Sequence, residues 1–181
     1  MISALKNKKL LIIGGDSFSV DIVKTAQSMG VYTIVTDWYD TKRSPAKLVA
    51  DEYWNISIED YDSLTKQIKE HHVDGILTGF TDSYLSAYQH LCEINNLPSY
   101  GTKEQFEILT NKALYKEWCK RFNVPTIQQY NATDPDIQFP VIIKPVDGSG
   151  SRGLHVCHNQ EELQDAMAAS KKSSKLGEVI I

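Results

Sequence analysis

An α/β fold that opens on a parallel sheet and continues into an α+β part is what this 181-residue sequence predicts. Three observations predict it. Short β-branched runs alternate with helical patterns up to about residue 98, which is the order of a parallel sheet covered on both faces. Around "NLPSYGT" (96–102) that order gives way to helices followed by strands. Near the end, the glycine-rich stretch "VDGSGSRG" (146–153) lies between two strand-like runs.

Each element has its own warrant. "LLIIGG" (10–15) reads as a buried strand ending in a glycine turn, and Val20, Val23 and Ala26 then share one helical face until Gly30 stops the helix. "VYTIVTD" (31–37) is a second strand, and "SPAKLVADEYWNI" (44–56) a short helix followed by a third. Tyr61, Leu64 and Ile68 mark a helix, and "GILTGF" (75–80) the next strand. Tyr84, Leu85, Tyr88, Leu91 and Cys92 line a helix that ends near Asn96. Beyond the expected boundary near residue 98, Thr102 and Gln105 have capping-box spacing for a short helix. A further helix at 111–122 would bury Leu114, Trp118 and Phe122. "VPTIQQY" (124–130), "FPVIIKP" (139–145), "GLHVCH" (153–158) and "GEVII" (177–181) read as strands, and Asn159 with Glu162 opens the last long helix. Lys171, Lys172 and Lys175 form a solvated helix end.

Composition narrows the function classes. With 41% apolar residues the chain can build a core, and its net charge of −4 argues against a nucleic-acid partner. Three scattered cysteines suit a reduced, cytoplasmic protein better than a disulfide framework. No apolar run is long enough for a membrane span. His71 and His72 close a helix, and His155 and His158 face opposite sides of a strand, so no zinc site is assigned.

Gly148, Gly150 and Gly153 have the spacing G-x-G-x-x-G. A dinucleotide fingerprint needs a helix opening directly after the glycines, because the helix N-terminus receives the pyrophosphate. "GLHVCH" instead alternates with period two, so the loop should be a hairpin. A phosphate-loop lysine motif fails too, since Leu154 and His155 stand where Lys and Ser/Thr are needed. Strand, glycine loop, strand and a strand lysine is an arrangement that covers nucleotide phosphates in protein kinases. Glycines and small serines let backbone N–H groups approach phosphate oxygens, while Lys144 and Arg152 add positive charge. The competing reading is a plain surface hairpin, but a lysine inside the apolar strand "VIIKP" is costly without a partner.

"NKALYKEWCKRFNVPTIQQY" followed by "FPVIIKPVDGSGSRGL" resembles the start of the nucleotide-binding region of the ATP-grasp superfamily. The likeness is to the branch with the carbamoyl-phosphate synthetase large chain, biotin carboxylase and the purine-biosynthetic ligases. "KKLLIIGG" to "NLPSYG" resembles the Rossmann-like domain that precedes the ATP-grasp fold there. The resemblance implies such a domain at residues 1–98 and an incomplete ATP-grasp part at 99–181. It implies Lys112 and Lys144 as ATP-phosphate ligands, with Gly148, Ser149, Gly150, Ser151, Arg152 and Gly153 closing over the β- and γ-phosphates. Asn111 stands where many members have aspartate, a change at a helix cap. In the family the adenosine-binding acids and the Mg²⁺-holding carboxylates lie beyond the position of Ile181, so no metal ligand is expected here and the chain alone should not catalyse. The parent reaction would be a carboxylate–amine or related ligation through an acyl phosphate, on small-molecule substrates; a homodimer is left open.

Gly15, Asp16, Asp37 and Asp82, with Ser17, fall at expected C-terminal strand ends, where open α/β sheets place ligands. In the resembling enzymes this turn faces the acceptor or carboxylate cleft. Capping of helices and turns is the competing role for each acid. A NAD(P) site on Gly14, Gly15 and Asp37, and a non-catalytic nucleotide-binding or assembly module, are the alternative functions.

Overall fold

A computed structural model describes residues 4–79 and 81–181, and it divides into two compact units, Met1–Phe106 and Glu107–Ile181. Phe80, at the end of the fourth expected strand, lies outside the described residues.

In the first unit β1 (Lys9–Ile13), β2 (Tyr32–Thr36), β3 (Glu52–Trp54) and β4 (Gly75–Thr78) form one parallel sheet in the order β3-β2-β1-β4. Side chains on successive strand residues point to opposite faces. Leu11, Ile13 and Ile34 therefore pack on one side with Leu64 and Ile68 of α2 (Tyr61–Glu70) and Tyr88 and Leu91 of α3 (Leu85–Ile94). Ile12 and Val35 pack on the other with Val23 of α1 (Ser19–Ser28) and Ala46. All five strand residues are fully buried, each stabilising by about 1.5–3 kcal/mol relative to exposure. The parallel register brings Ile13 beside both Thr36 and Thr78, and Thr36 beside Trp54, so every strand ends on one edge. The turns that follow β1, β2 and β4 are gathered there.

Local signals act as expected at the helix ends. Gly30 stops α1 with φ 79°, and Asp60 Oδ1 accepts the Ser63 N–H at 3.1 Å to start α2. The Thr102/Gln105 box is reciprocal, with the Thr102 N–H donating to Gln105 Oε1 at 2.8 Å and the Gln105 N–H to Thr102 Oγ1 at 3.2 Å, opening α4 (Lys103–Thr110). Tyr100 stacks on Tyr88 at 4.4 Å and Phe106 meets both edge-on, which ties the segment after α3 to the first unit.

The second unit contains α5 (Lys112–Arg121), β5 (Val141–Pro145), β6 (His155–Cys157), α6 (Gln160–Lys172) and β7 (Val179–Ile180), with an antiparallel sheet ordered β6-β5-β7. Its core is Val141, Ile143, Cys157, Leu163 and Ala166. α6 starts as the sequence predicts: Asn159 Oδ1 accepts the Glu162 N–H at 2.9 Å, and Glu162 Oε2 accepts the His158 N–H at 2.8 Å.

Two expectations are corrected in this unit. Residues 124–130 form no strand. Pro125 has no N–H to donate, and the segment meets the sheet where the Tyr130 N–H donates to the Ile181 carbonyl at 3.0 Å. The buried stripe of α5 is also not Leu114, Trp118 and Phe122. Phe122 is 62% exposed, Trp118 stacks on it at 5.4 Å, and the Arg121 guanidinium lies 5.2 Å from the Trp118 ring. Cys119 is the buried residue, on the stripe shared with Lys112 and Lys116. Apolarity selects the first stripe, but it is Lys112, Lys116 and Cys119 that line a cleft with Lys144 and Ile180 of the sheet.

Among the described residues no helix is long and apolar enough to cross a membrane.

Candidate functional site

The glycine stretch is a hairpin loop between antiparallel β5 and β6, with Ile142 opposite Val156 and Ile143 opposite His155. No helix opens at Gly153, so the helix terminus that a dinucleotide fingerprint needs is missing at this turn. Gly150, Ser151 and Gly153 all have positive φ. At Gly153 a Cβ would sit 2.5 Å from Ser173 Cβ, so only glycine fits. Both ends of the loop are anchored. Asp147 accepts the Ser174 hydroxyl at 2.6 Å and the N–H groups of Lys175 and Leu176, while the Gly153 carbonyl accepts the Ser170 hydroxyl at 2.7 Å. Burial pushes the Asp147 carboxyl up, but these bonds outweigh it and hold the group below the ordinary aspartate value. Arg152 is exposed, with Nε donating to the Ser149 carbonyl at 3.4 Å.

Asn111 caps α5 by accepting the N–H groups of Ala113 and Leu114 at 3.0 and 3.2 Å, which sets Lys112 in the first turn. The Lys112 ammonium reaches the loop, donating to the carbonyls of Gly148 at 2.5 Å and Val146 at 3.3 Å. The ammonium of Lys144, a half-buried residue on β5, has no hydrogen bond or ion pair with any described residue. Both lysines line one cleft of about 350 Å³, together with Lys116, Tyr115, Cys119 and Ile180, and no carboxylate lines it. Sequence reasoning passed over Lys116, although it follows Lys112 at helical spacing on the same face. Its Nζ donates to the Ile127 carbonyl at 2.9 Å across the cleft. Burial, then the charges of Lys144 and Lys120, hold its ammonium below the ordinary lysine value. Also unnoticed were Ile142 and Val156, apolar and about half exposed, opposite one another. Ile142 shares a strand face with Lys144 by period two.

The edge of the parallel sheet holds the other expected residues. Asp37 is 3% exposed, and both its oxygens are occupied. Oδ2 accepts the Gly15 N–H at 2.8 Å and the Ser44 hydroxyl at 2.6 Å; Oδ1 accepts the Tyr39 N–H and pairs with the Lys47 ammonium at 2.8 Å. The Asp37 carboxylate, expected at the substrate edge, thus has two partners on each oxygen and holds the turn together. Lys47, which the sequence did not mark, is equally buried and also donates to the carbonyls of Asp37 and Tyr39 and to Asn55 Oδ1. Gly15 is a glycine because a Cβ there would collide with Ser44 Oγ. Asp16 Oδ1 accepts the N–H groups of Phe18 and Ser19 in the turn leading into α1, and its Oδ2 lies 3.4 Å from Thr81 Oγ1. The exposed Asp82 begins the short turn Asp82–Tyr84, whose Tyr84 ring covers Gly14. Burial, then Asp16, Asp37 and Tyr39, raise the Tyr84 hydroxyl. Asp16, Asp82 and Gly15 thus share one edge.

A parallel α/β unit with its turns on one edge is thus followed in the chain by a lysine-bearing glycine hairpin. A family model for the ATP-grasp domain matches residues 137–179. Over 166 residues the chain is 31% identical to the formate-dependent phosphoribosylglycinamide formyltransferase of Sulfurisphaera tokodaii, covering 87% of this chain and 41% of that protein. In solved structures the fold matches the biotin carboxylase domain of Hydrogenobacter thermophilus 2-oxoglutarate carboxylase, bound to MgADP, ADP and bicarbonate (TM-score 0.77, 22% identity, 96% of this chain and 43% of that one). It also matches N5-carboxyaminoimidazole ribonucleotide synthetase from Thermotoga maritima (TM-score 0.69, 24% identity, 87% and 43%). The chain belongs to the ATP-grasp superfamily. It spans less than half the length of these relatives.

Proposed function

We propose that this chain is the ATP-binding portion of an ATP-dependent ligase that activates a carboxylate as an acyl phosphate for attack by an amine or related nucleophile. The observation that carries the reading is the cleft beside the glycine hairpin, lined by Lys112, Lys116 and Lys144 and by no carboxylate. A half-buried ammonium such as that of Lys144 is unfavourable unless an anion completes it. Each charge-assisted contact to a phosphate oxygen would contribute about 1.5–3 kcal/mol. Loop N–H groups of residues 148–153 add donors, and Ile142 with Val156 offers a flat apolar face for the base beside Lys144.

Met1–Phe106 would carry the acceptor side, with Gly15, Asp16 and Asp82 at its substrate edge, and Glu107–Ile181 the first part of the nucleotide lobe, a division later than the expected one near residue 98. The nicotinamide alternative loses support, because Asp37, its ribose acid, is saturated and the Tyr84 ring covers Gly14. The donor set fits phosphates and not the metal: among the described residues no group of three or more His, Cys, Asp and Glu could hold one. Mg²⁺ would neutralise phosphate charge in the parent enzyme. The MgADP and ADP of the biotin carboxylase domain support ATP and Mg²⁺ as the parent's requirements.

Calorimetry of the chain with ATP tests the reading. Binding should be weaker than about 1 μM, which corresponds to about 8 kcal/mol, since one lobe supplies all the contacts. Lys144→Met keeps the apolar stem and should weaken binding about 10- to 100-fold. ATP affinity unchanged in Lys144→Met, but lost on Asp16→Asn, would place the nucleotide on the other unit and end the proposal.

A further inference from the structure

Three ammonium groups around one small cleft repel one another, and the cleft has no acid to balance them. Lys116 lies on α5 with Lys112, oriented across the cleft. Burial and the ammonium groups of Lys144 and Lys120 lower its proton affinity. Its bond to the Ile127 carbonyl uses an N–H that a neutral amine retains, so that bond orients the group whether or not it is charged. The remaining titratable neighbours on the lining are Lys112, Lys144, Tyr115 and Cys119, and no Asp or Glu is among them. The cleft therefore combines an anion-holding pair with a nucleophilic amine.

We propose that Lys116 is a self-acylation site for small acyl phosphates, with Lys144 and Lys112 holding the phosphate while Lys116 takes the acyl group. The inference rests on the phosphate reading of the cleft, not on ATP. In the step, the Lys116 Nζ lone pair attacks the acyl carbon and an N–C bond forms. The bond from that carbon to the phosphate oxygen breaks, inorganic phosphate leaves with the electron pair, and the amine proton passes to it. The product is an uncharged amide, which removes one cation from the cleft and should weaken its hold on phosphate-bearing ligands.

Acetyl phosphate, incubated with the 181-residue chain and followed by peptide mass spectrometry, tests this. Lys116 should acetylate faster than the exposed Lys171 and Lys172, whose amines face solvent outside the cleft. Millimolar inorganic phosphate should slow Lys116 alone. Lys144→Met, whose folding circular dichroism verifies, should lose most of the selectivity, and acetic anhydride, a neutral acetyl donor, should show less of it than acetyl phosphate. Equal rates at all lysines, no protection by phosphate, or the same selectivity with the anhydride would each overturn the proposal. Selective modification that phosphate blocks and Mg-ATP does not would keep it while removing the nucleotide reading.

Discussion

Lys47 and Asp37 form an ion pair whose side chains are 0% and 4% exposed, inside the loop that follows β2. Removing one member of such a pair leaves an unpaired buried charge, at a cost of about 3–5 kcal/mol. Lys47→Met and Asp37→Asn should each lower the urea midpoint of the first unit accordingly, with the double variant costing less than the sum of the two. A wild-type midpoint in Lys47→Met would show that the pair is not what holds the turn. A different residue-scale effect belongs to Asp147. Its folded pKa is depressed, so its contribution to stability is present above the ordinary aspartate value of about 3.9 and is lost as pH falls through the folded value. Asp147→Asn should flatten the acid limb of the stability profile below pH ~4, as read by chemical denaturation across pH. An acid limb as steep as the wild type's would remove Asp147 from that role. The sequence marked Asp37 as a strand-end acid, and it is one. What it could not show is that Ser44 and Lys47, within the next turn, would consume both oxygens.

At the scale of elements, the β5–β6 hairpin is the clearest success of the sequence reading, because the strand-like runs on both sides of the glycines pair antiparallel. Its two positive-φ glycines are not equivalent. A Cβ added at Gly150 would meet nothing within 4 Å, whereas at Gly153 it would meet Ser173 and Pro145. Gly150→Ala should cost only the left-handed penalty of about 1–2 kcal/mol, and Gly153→Ala clearly more, in equilibrium unfolding of the chain. Equal costs would mean that the Ser173 contact relaxes freely. Helix α5 shows where periodicity misleads. Two stripes have helical spacing, and the one with Lys112, Lys116 and Cys119 faces the cleft although the other is more apolar.

For the whole molecule, the placement of ligands on two units makes a spatial prediction. With ATP in excess, amide exchange should slow in residues 144–153 and the first turns of α5, while the turn at residues 14–16 is unaffected. Protection at residues 14–16 alone would assign the nucleotide to the parallel sheet. The alternation of strands and helices, the change of order after residue 98, the hairpin and the strand lysine were all legible in the sequence, because each depends on neighbours within a few residues. The saturation of Asp37, the buried Lys47, the exposed Phe122 stacked on Trp118, the missing strand at 124–130 and the grouping of Lys116 with Lys144 were decided only by tertiary structure. Periodicity states which residues share a face. Which partner meets that face, and whether a charge there is neutralised or left for a ligand, is set by groups brought together from distant parts of the chain.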